Sequence, residues 1–350
     1  MARAFERFLR GETSGPGWAV LRGTLVPAAF VYGAVAAMRS AAQRRAPDRL
    51  AIPVISVGNP TVGGTGKTPF VRMLARRLVA RGERPLILSR GYGASAASGL
   101  DEEGESLRRD VPEASVAQDK DRFRAAAPFL RSDPKPTVAV LDDAAQALRF
   151  HRDLDIQLVD ATRPFGAGWT LPAGALREPP RAVGRADLVV ATRADGVPEA
   201  LRARTRELLL RHGAPEPVLW SRHAPDRLLP EGDPPGTLAG QKVFLVSGIA
   251  RPESFQATVA ELGATVVGLR THPDHHPYTA EDLAAVDRAA RGAGADLILA
   301  TGKDGPKLAA LPAPGLPLHY LEVVVALEAD GDEVLDAALE RVLRTADDGG

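Results

Sequence analysis

Lys67 and Thr68 are the residues whose chemistry the rest of the chain must position. They close the stretch Thr61-Val62-Gly63-Gly64-Thr65-Gly66-Lys67-Thr68, which fits the pattern G-x-x-x-x-G-K-[ST] except at Thr61. Glycines let successive backbone N–H groups turn toward one anion, and a helix N-terminus adds free donors and the positive end of its dipole. A lysine at that point reaches the β- and γ-phosphates of a nucleotide, and the threonine hydroxyl can sit on Mg²⁺. A tight turn with a solvated lysine would use the same residues without chemistry. The flanks argue against it. Pro53-Val54-Ile55-Ser56-Val57 is an apolar run of strand length, and Phe70, Leu74 and Leu78 recur every four residues after it. Pro69 suits a first helical turn and Gly82 is placed to end the helix.

Acidic and histidine-bearing stretches supply the other candidates. Thr137 to Leu141 is a continuous apolar run, as buried parallel strands show, and it ends in Asp142-Asp143. Carboxylates at such a strand end, downstream of a phosphate loop, are where a Mg²⁺ ligand belongs; alone, the same pair serves as a turn or a helix cap. Asp101-Glu102-Glu103-Gly104-Glu105 follows Arg90-Gly91-Tyr92-Gly93 and by itself reads as a solvated surface loop. Thr271-His272-Pro273-Asp274-His275-His276-Pro277-Tyr278 holds three of the chain's seven histidines. Zinc binding lacks cysteine or suitably spaced histidine partners here. Carboxylate-oriented proton transfer and a hydrogen-bonded loop without chemistry both fit.

A chain of 350 residues can bury a full core and predicts two domains. Lys+Arg and Asp+Glu are both 44, so the overall charge gives no sign of a nucleic-acid partner, and nothing implies a protein partner. Cysteine is absent, which excludes disulfides, thiolate metal sites and cysteine nucleophiles. From Ala51 the pattern is α/β. Pro85–Ser89, Asp155–Asp160 and Ala186–Ala191 read as further strands, and Glu199 to Arg211 as a helix. Pro225 to Gly240 is rich in proline and glycine and marks a boundary. Beyond it, strands at Val243–Val246, Thr265–Leu269, Asp296–Ala300 and Val323–Leu327 alternate with helices at Glu253–Leu262, Ala280–Arg291 and Asp332–Leu343, as a parallel sheet requires. Thr192-Arg193-Ala194-Asp195 loosely echoes the guanine-reading N-K-x-D pattern, which keeps a GTPase or nucleotide-dependent chaperone as the alternative.

The N-terminus differs in character. Leu25 to Met38 carries no charge and is flanked by Arg22 and Arg39. Its fourteen residues fall short of the roughly 20 a bilayer span needs, so a helix lying in the membrane interface is expected. The expected division is residues 1–48 as a membrane-associating helical segment, 49–224 as the nucleotide-binding domain and 225–350 as a smaller α/β domain.

Taken together, these motifs resemble the tetraacyldisaccharide 4'-kinase (lipid A 4'-kinase) family over nearly the whole chain. The similarity runs from Val57-Gly58-Asn59-Pro60 through Pro69, then Ser89-Arg90-Gly91-Tyr92-Gly93, Leu171-Pro172-Ala173-Gly174 with Leu176-Arg177-Glu178-Pro179, Pro273-Asp274-His275-His276-Pro277, and Lys303-Asp304. The resemblance implies a P-loop kinase-type α/β/α domain with a parallel sheet, a smaller α/β/α C-terminal domain and an N-terminal membrane-interface helix. It implies an enzyme monotopic on the cytoplasmic face of a bacterial inner membrane, moving the ATP γ-phosphate to the 4'-hydroxyl of a lipid A disaccharide precursor. Thr61, Val62, Gly63, Gly64, Thr65, Gly66, Lys67 and Thr68 would hold ATP, and Thr68, Asp142 and Asp143 would hold Mg²⁺. Glu102, with Asp101 beside it, would stand where the family has its base, and Asp274 with His275 would match the later Asp-His motif. Arg90, Tyr92 and Arg177 would meet the substrate. The family's Asp-Asp-Gly-x-Gln-His reads Asp142-Asp143-Ala144-Ala145-Gln146-Ala147 here, and Glu102 stands where the family has aspartate, so a catalytically impaired nucleotide-binding homologue is a further alternative.

Overall fold

A computed structural model describes residues 2–91, 99–230, 232–249, 252–273 and 276–347. The described chain forms two compact units: residues 1–222 with 325–350, and residues 223–324.

The first unit opens with helices α1 (Ala2–Leu9) and α2 (Pro16–Gln43), followed by strand β1 (Val54–Gly58), helix α3 (Lys67–Ala80) and strand β2 (Pro85–Ser89). Next come α4 (Glu102–Asp110), β3 (Ser115–Gln118), α5 (Arg122–Ala126), β4 (Val138–Asp142), β5 (Leu154–Asp160), β6 (Leu188–Thr192), α6 (Glu199–Arg211) and the start of β7 (Val218–Leu229), whose residues from 223 on belong to the second unit. The strands are parallel, in the order β3-β2-β4-β1-β5-β6-β7. Strand residues alternate between faces. Ile55, Val57, Val138 and Val140 point to one core with Phe70, Leu74 and Leu78 of α3, while Val54, Ala139 and Leu141 point to the opposite core with Phe123 and Phe150. Helices therefore cover both faces, which is why β1 and β4 are apolar at every position except Ser56, Gly58 and Asp142.

The second unit holds β8 (Lys242–Ser247), α7 (Pro252–Glu261), β9 (Thr265–Thr271), α8 (Ala280–Gly292), β10 (Leu297–Thr301), α9 (Gly305–Ala309) and most of β11 (Leu318–Leu327). Its strands are parallel in the order β11-β10-β8-β9. Thr279 caps α8 through a reciprocal capping box with Asp282.

Three expectations change. The C-terminal helix α10 (Gly331–Asp347) belongs to the first unit, not with 225–324. Leu335, Ala338, Leu339 and Val342 form its apolar stripe and join Ile55 and Val57 in one core. The acidic stretch at 101–105 is not a loop: Asp101 caps α4, and Glu102, Glu103 and Glu105 complement the positive end of that helix. Helix α2, at 28 residues, extends well beyond the uncharged run and by length and composition is long enough to cross a membrane. The flanking Trp18, Arg22 and Arg39 lie within it, because arginine and aromatic residues do not stop a helix.

Candidate active site

The glycines of the Thr61–Thr68 loop have separate duties. Gly63 (φ 105°) and Gly66 (φ 78°) adopt left-handed backbone that other residues rarely take. Gly66 is the N-cap of α3, so the loop turns directly into the helix whose first residue is Lys67. Gly58, at the end of β1, is required for another reason: a Cβ there would lie 2.3 Å from the Ala145 nitrogen.

Buried polar contacts tether the loop. The Asn59 amide donates to the Thr61 carbonyl at 2.8 Å and accepts from Lys67 Nζ at 3.2 Å. The Thr192 hydroxyl, at the end of β6, donates to the Thr65 carbonyl at 2.8 Å. That hydroxyl is buried and engaged in supporting the loop, and neighbouring Arg193 lies 3.4 Å from Asp160. The Thr65 hydroxyl is buried with no partner among the described residues. Thr68 sits half-buried in the first turn of α3.

The register of β1 on β4 pairs Val57 with Asp142 and sets the two carboxylates beside the loop. Asp142 is 4% exposed, and its Oδ1 has no hydrogen-bond partner among the described residues. Burial pushes its pKa up to about 6; Lys67 opposes the rise, and Glu103 and Asp143 add to it. Asp143 takes the left-handed conformation (φ 49°) and faces two cations. Arg177 Nη1 donates to both of its oxygens at 3.0 and 3.1 Å, and Lys67 Nζ lies 3.5 Å away. Burial alone would raise the Asp143 pKa, but Lys67 and Arg177 outweigh it and hold the carboxyl below its ordinary value. Arg122, buried, donates to the Asp142 carbonyl at 2.8 Å and the Asp143 carbonyl at 3.2 Å and so fixes the turn. Ala144, where the resemblance has glycine, is fully buried and has no positive φ, so this turn does not need glycine there. A buried, ionisable oxygen without a partner, beside the helix that starts at Lys67 and Thr68, is the kind of donor Mg²⁺ takes.

Asp101 Oδ1 accepts from the Gly104 N–H and from Gln118 Nε2, both at 2.9 Å, and the Asp101 N–H donates back to Gln118 Oε1 at 2.7 Å. Asp101 is thus anchored as the N-cap of α4, and Glu102 lies exposed on the first turn of that helix. Arg90 is exposed just past β2. Tyr92, Asp274 and His275 lie outside the described residues. In the second unit His276 Nε2 lies 3.2 Å from Asp282 Oδ2, and the His272 and His276 rings stack at 4.4 Å. The Thr279 N–H and hydroxyl also donate to Asp282 Oδ2, which holds the Asp282 pKa down at about 2. His272, His276 and Asp282 lie close enough to share a metal ion, but that carboxylate oxygen is already engaged by Thr279 and His276, as in a histidine–carboxylate pair.

The structure therefore gathers Lys67, Asp142, Asp143 and Arg177 directly, with Glu103 of α4 near enough to act on Asp142. Sequence reasoning missed Asn59, Arg122 and Thr192. Asn59 lay inside the quoted motif, and only its burial reveals its hold on Lys67.

The chain is similar to known proteins over most of its length. A model of the family described as tetraacyldisaccharide-1-P 4'-kinase matches residues 21–344. Tetraacyldisaccharide 4'-kinase of Geobacter sulfurreducens is 39% identical over 97% of this chain and 98% of its own length. The protein of that name from Geobacter metallireducens is 40% identical over 83% of this chain and 88% of its own. A crystal structure of the Aquifex aeolicus protein LpxK in complex with ATP superposes with a TM-score of 0.69 at 27% identity, covering 92% of this chain and 99% of that one.

Proposed function

The chain belongs to the tetraacyldisaccharide-1-P 4'-kinase family, ATP-dependent kinases of lipid A biosynthesis, and from that premise we propose how its own residues perform the transfer. The observation that carries the reading is the cluster of Lys67, Asp143 and Arg177 beside the buried Asp142, at the mouth of a left-handed glycine loop. Loop amides from Thr61 to Gly66 and Lys67 bind the β- and γ-phosphates. Thr68, Asp142 and Asp143 would hold Mg²⁺, whose chemistry there would be to neutralise phosphate charge. Arg177, braced between Asp143 and Gln146, keeps Asp143 oriented and meets the incoming phosphorylated sugar with Arg90 and Tyr92.

The 4'-hydroxyl oxygen forms a bond to the γ-phosphorus while the bond from that phosphorus to the β,γ-bridging oxygen breaks, releasing ADP. The hydroxyl proton goes to a carboxylate at the start of α4. Asp101 and Glu102 are the two candidates, and the anchoring of Asp101 by Gly104 and Gln118 favours it as the positioned base. The family resemblance gives the orienting or relaying of that proton to Asp274 and His275.

The outer face of α2 supports a membrane location. Phe30, Val31, Val35 and Met38 are exposed, while Ala29, Gly33 and Ser40 turn inward. This one-sided helix lies against the cytoplasmic face of the inner membrane, where a lipid acceptor is found, and holds the enzyme there peripherally. The test is ADP release with and without acceptor. The reading expects release in the presence of a tetraacyldisaccharide 1-phosphate and near silence without it; equal release in both would point to an ATPase.

A further inference from the structure

One loop grips both the apolar helix α2 and the phosphate loop. On one side of residues 169–179, the Thr170 hydroxyl donates to the Ala29 carbonyl at 2.5 Å, and the Ser40 hydroxyl donates to Glu178 Oε1 at 2.5 Å. Gly33, between them on the same helical stripe, packs so closely that a Cβ would lie 3.2 Å from Thr170 Oγ1. On the other side, the Val62 N–H donates to the Ala175 carbonyl at 2.7 Å and the Arg177 N–H to the Pro60 carbonyl at 2.8 Å. Thr61 and Leu176 form a β-bridge between those two bonds. Arg177 then reaches Asp143. Glu178, one residue on, is buried at 2% exposure and is clamped by both terminal nitrogens of Arg185. The Ser40 hydroxyl and the Arg185 guanidinium thus share one buried carboxylate, adjacent in sequence to the arginine that orients Asp143.

We propose that Glu178 is a positioning residue: through Ser40 it couples the seating of α2 on a membrane to the geometry of the phosphate loop and of Arg177, so that membrane binding and nucleotide binding strengthen one another. The physical basis is continuity. The contacts from Ala29 and Ser40 to Pro60 and Val62 are hydrogen bonds made by one short segment, itself buried at Ala173, Ala175 and Leu176. A small displacement of α2 cannot be absorbed by that segment without moving the Thr61–Leu176 bridge, because close-packed interiors transmit strain rather than dissipate it. Coupling between two ligands is reciprocal, so a membrane that tightens ATP must itself be bound more tightly when ATP is present. This inference rests on the membrane reading of α2 given above.

The experiment uses the full chain, acidic phospholipid vesicles without acceptor, and a fluorescent ATP analogue. Vesicle binding is measured by flotation and nucleotide dissociation by displacement. In the wild type, vesicles should tighten nucleotide binding about 5-fold or more, and saturating nucleotide should tighten vesicle binding by the same factor. Ser40→Ala removes the hydroxyl but leaves the Glu178–Arg185 pair. It should still float with vesicles and still bind nucleotide without them, while both dependences fall to below about 2-fold. Ser40→Thr, which restores a hydroxyl, should recover them, and Glu178→Gln should resemble Ser40→Ala. A role confined to stability would lower the melting temperature and leave the coupling factor unchanged. The proposal is overturned if Ser40→Ala keeps the wild-type factor, or if the wild type floats yet shows no dependence. Failure of the wild type to float would instead remove the membrane reading, and this proposal with it.

Discussion

Arg177 donates to both carboxylate oxygens of Asp143, at 3.0 and 3.1 Å, and Lys67 approaches the same carboxylate to 3.5 Å. Two cations thus converge on one anion at the start of α3. Their geometry is set before any nucleotide arrives, and electrostatic preorganisation of this kind supplies much of an enzyme's rate.

Removing the Lys67 charge tests the nucleotide end of that arrangement. Lys67→Ala should lower kcat/KM by at least about 100-fold, the scale seen when a preorganised transition-state contact is lost. Its circular dichroism should match the wild type, because Lys67 meets the polar Asn59 and Asp143 rather than the apolar core. Near-normal turnover would remove Lys67 from the phosphate site.

Asp142 predicts a trade between stability and activity. Its pKa rises on folding from 3.8 to about 6, chiefly through burial against the opposing effect of Lys67, with Glu103 and Asp143 adding to the rise. Between those values the folded chain holds a proton the unfolded chain has lost, so this group's contribution to stability falls as pH rises from about 4 to 6. Asp142→Asn should therefore melt higher at pH 8 without metal, by about 3 °C, and lose Mg²⁺-dependent turnover. In the wild type, Mg²⁺ affinity should weaken about tenfold per unit as pH drops below 6, because the ligand must be ionised. A lower melting temperature for Asp142→Asn would contradict the burial account.

At the start of α4, Asp101→Asn and Glu102→Gln should separate the two candidate bases. Loss of the base should cost about 10²- to 10⁴-fold in kcat with ATP affinity kept. The anchoring of Asp101 predicts the larger loss there. Equal, mild losses from both would move the base elsewhere.

Much of this arrangement is legible in sequence. The apolar run before the glycine loop and the four-residue recurrence of Phe70, Leu74 and Leu78 give β1 and α3 almost to the residue, because burial on both faces leaves little choice of residue type. Other parts are not. Strand β3 is four residues long with one buried position, so its pattern is too brief to read. Helix α4 hides behind its charges because its cap is a single aspartate followed by glutamates. That α10 returns to the first unit depends on which sheet its stripe meets, and periodicity does not specify a partner. The grip of Asn59 on Lys67 and of Arg122 on the 142–143 turn rests on burial of polar groups, which spacing does not reveal.

The return of α10 has an energetic consequence. Leu339 is fully buried in the core that also holds Ile55 and Val57. Leu339→Ala should destabilise the chain by about 2–5 kcal/mol in a denaturant titration. A change below about 1 kcal/mol, the usual range of surface substitutions and mild repacking, would mean the helix does not support the nucleotide-binding core.

The exposed face of α2 gives a separate test of location. Val31→Glu with Val35→Glu places two charges on residues that are 66% and 50% exposed. The pair should release the protein from vesicles while leaving its thermal unfolding unchanged, since neither side chain packs in a core. Undiminished flotation would assign membrane contact to another surface.

The central claim is that the Lys67–Asp143–Arg177 cluster beside Asp142 delivers the ATP γ-phosphate to one hydroxyl of a lipid A disaccharide. The most direct measurement incubates the purified protein with ATP, Mg²⁺ and a tetraacyldisaccharide 1-phosphate, then determines product mass and the position of the added phosphate by tandem mass spectrometry. The account predicts a gain of a single phosphate on the 4'-oxygen with the wild type and none with Lys67→Ala. Phosphate at another position, or the same product from Lys67→Ala, would contradict it.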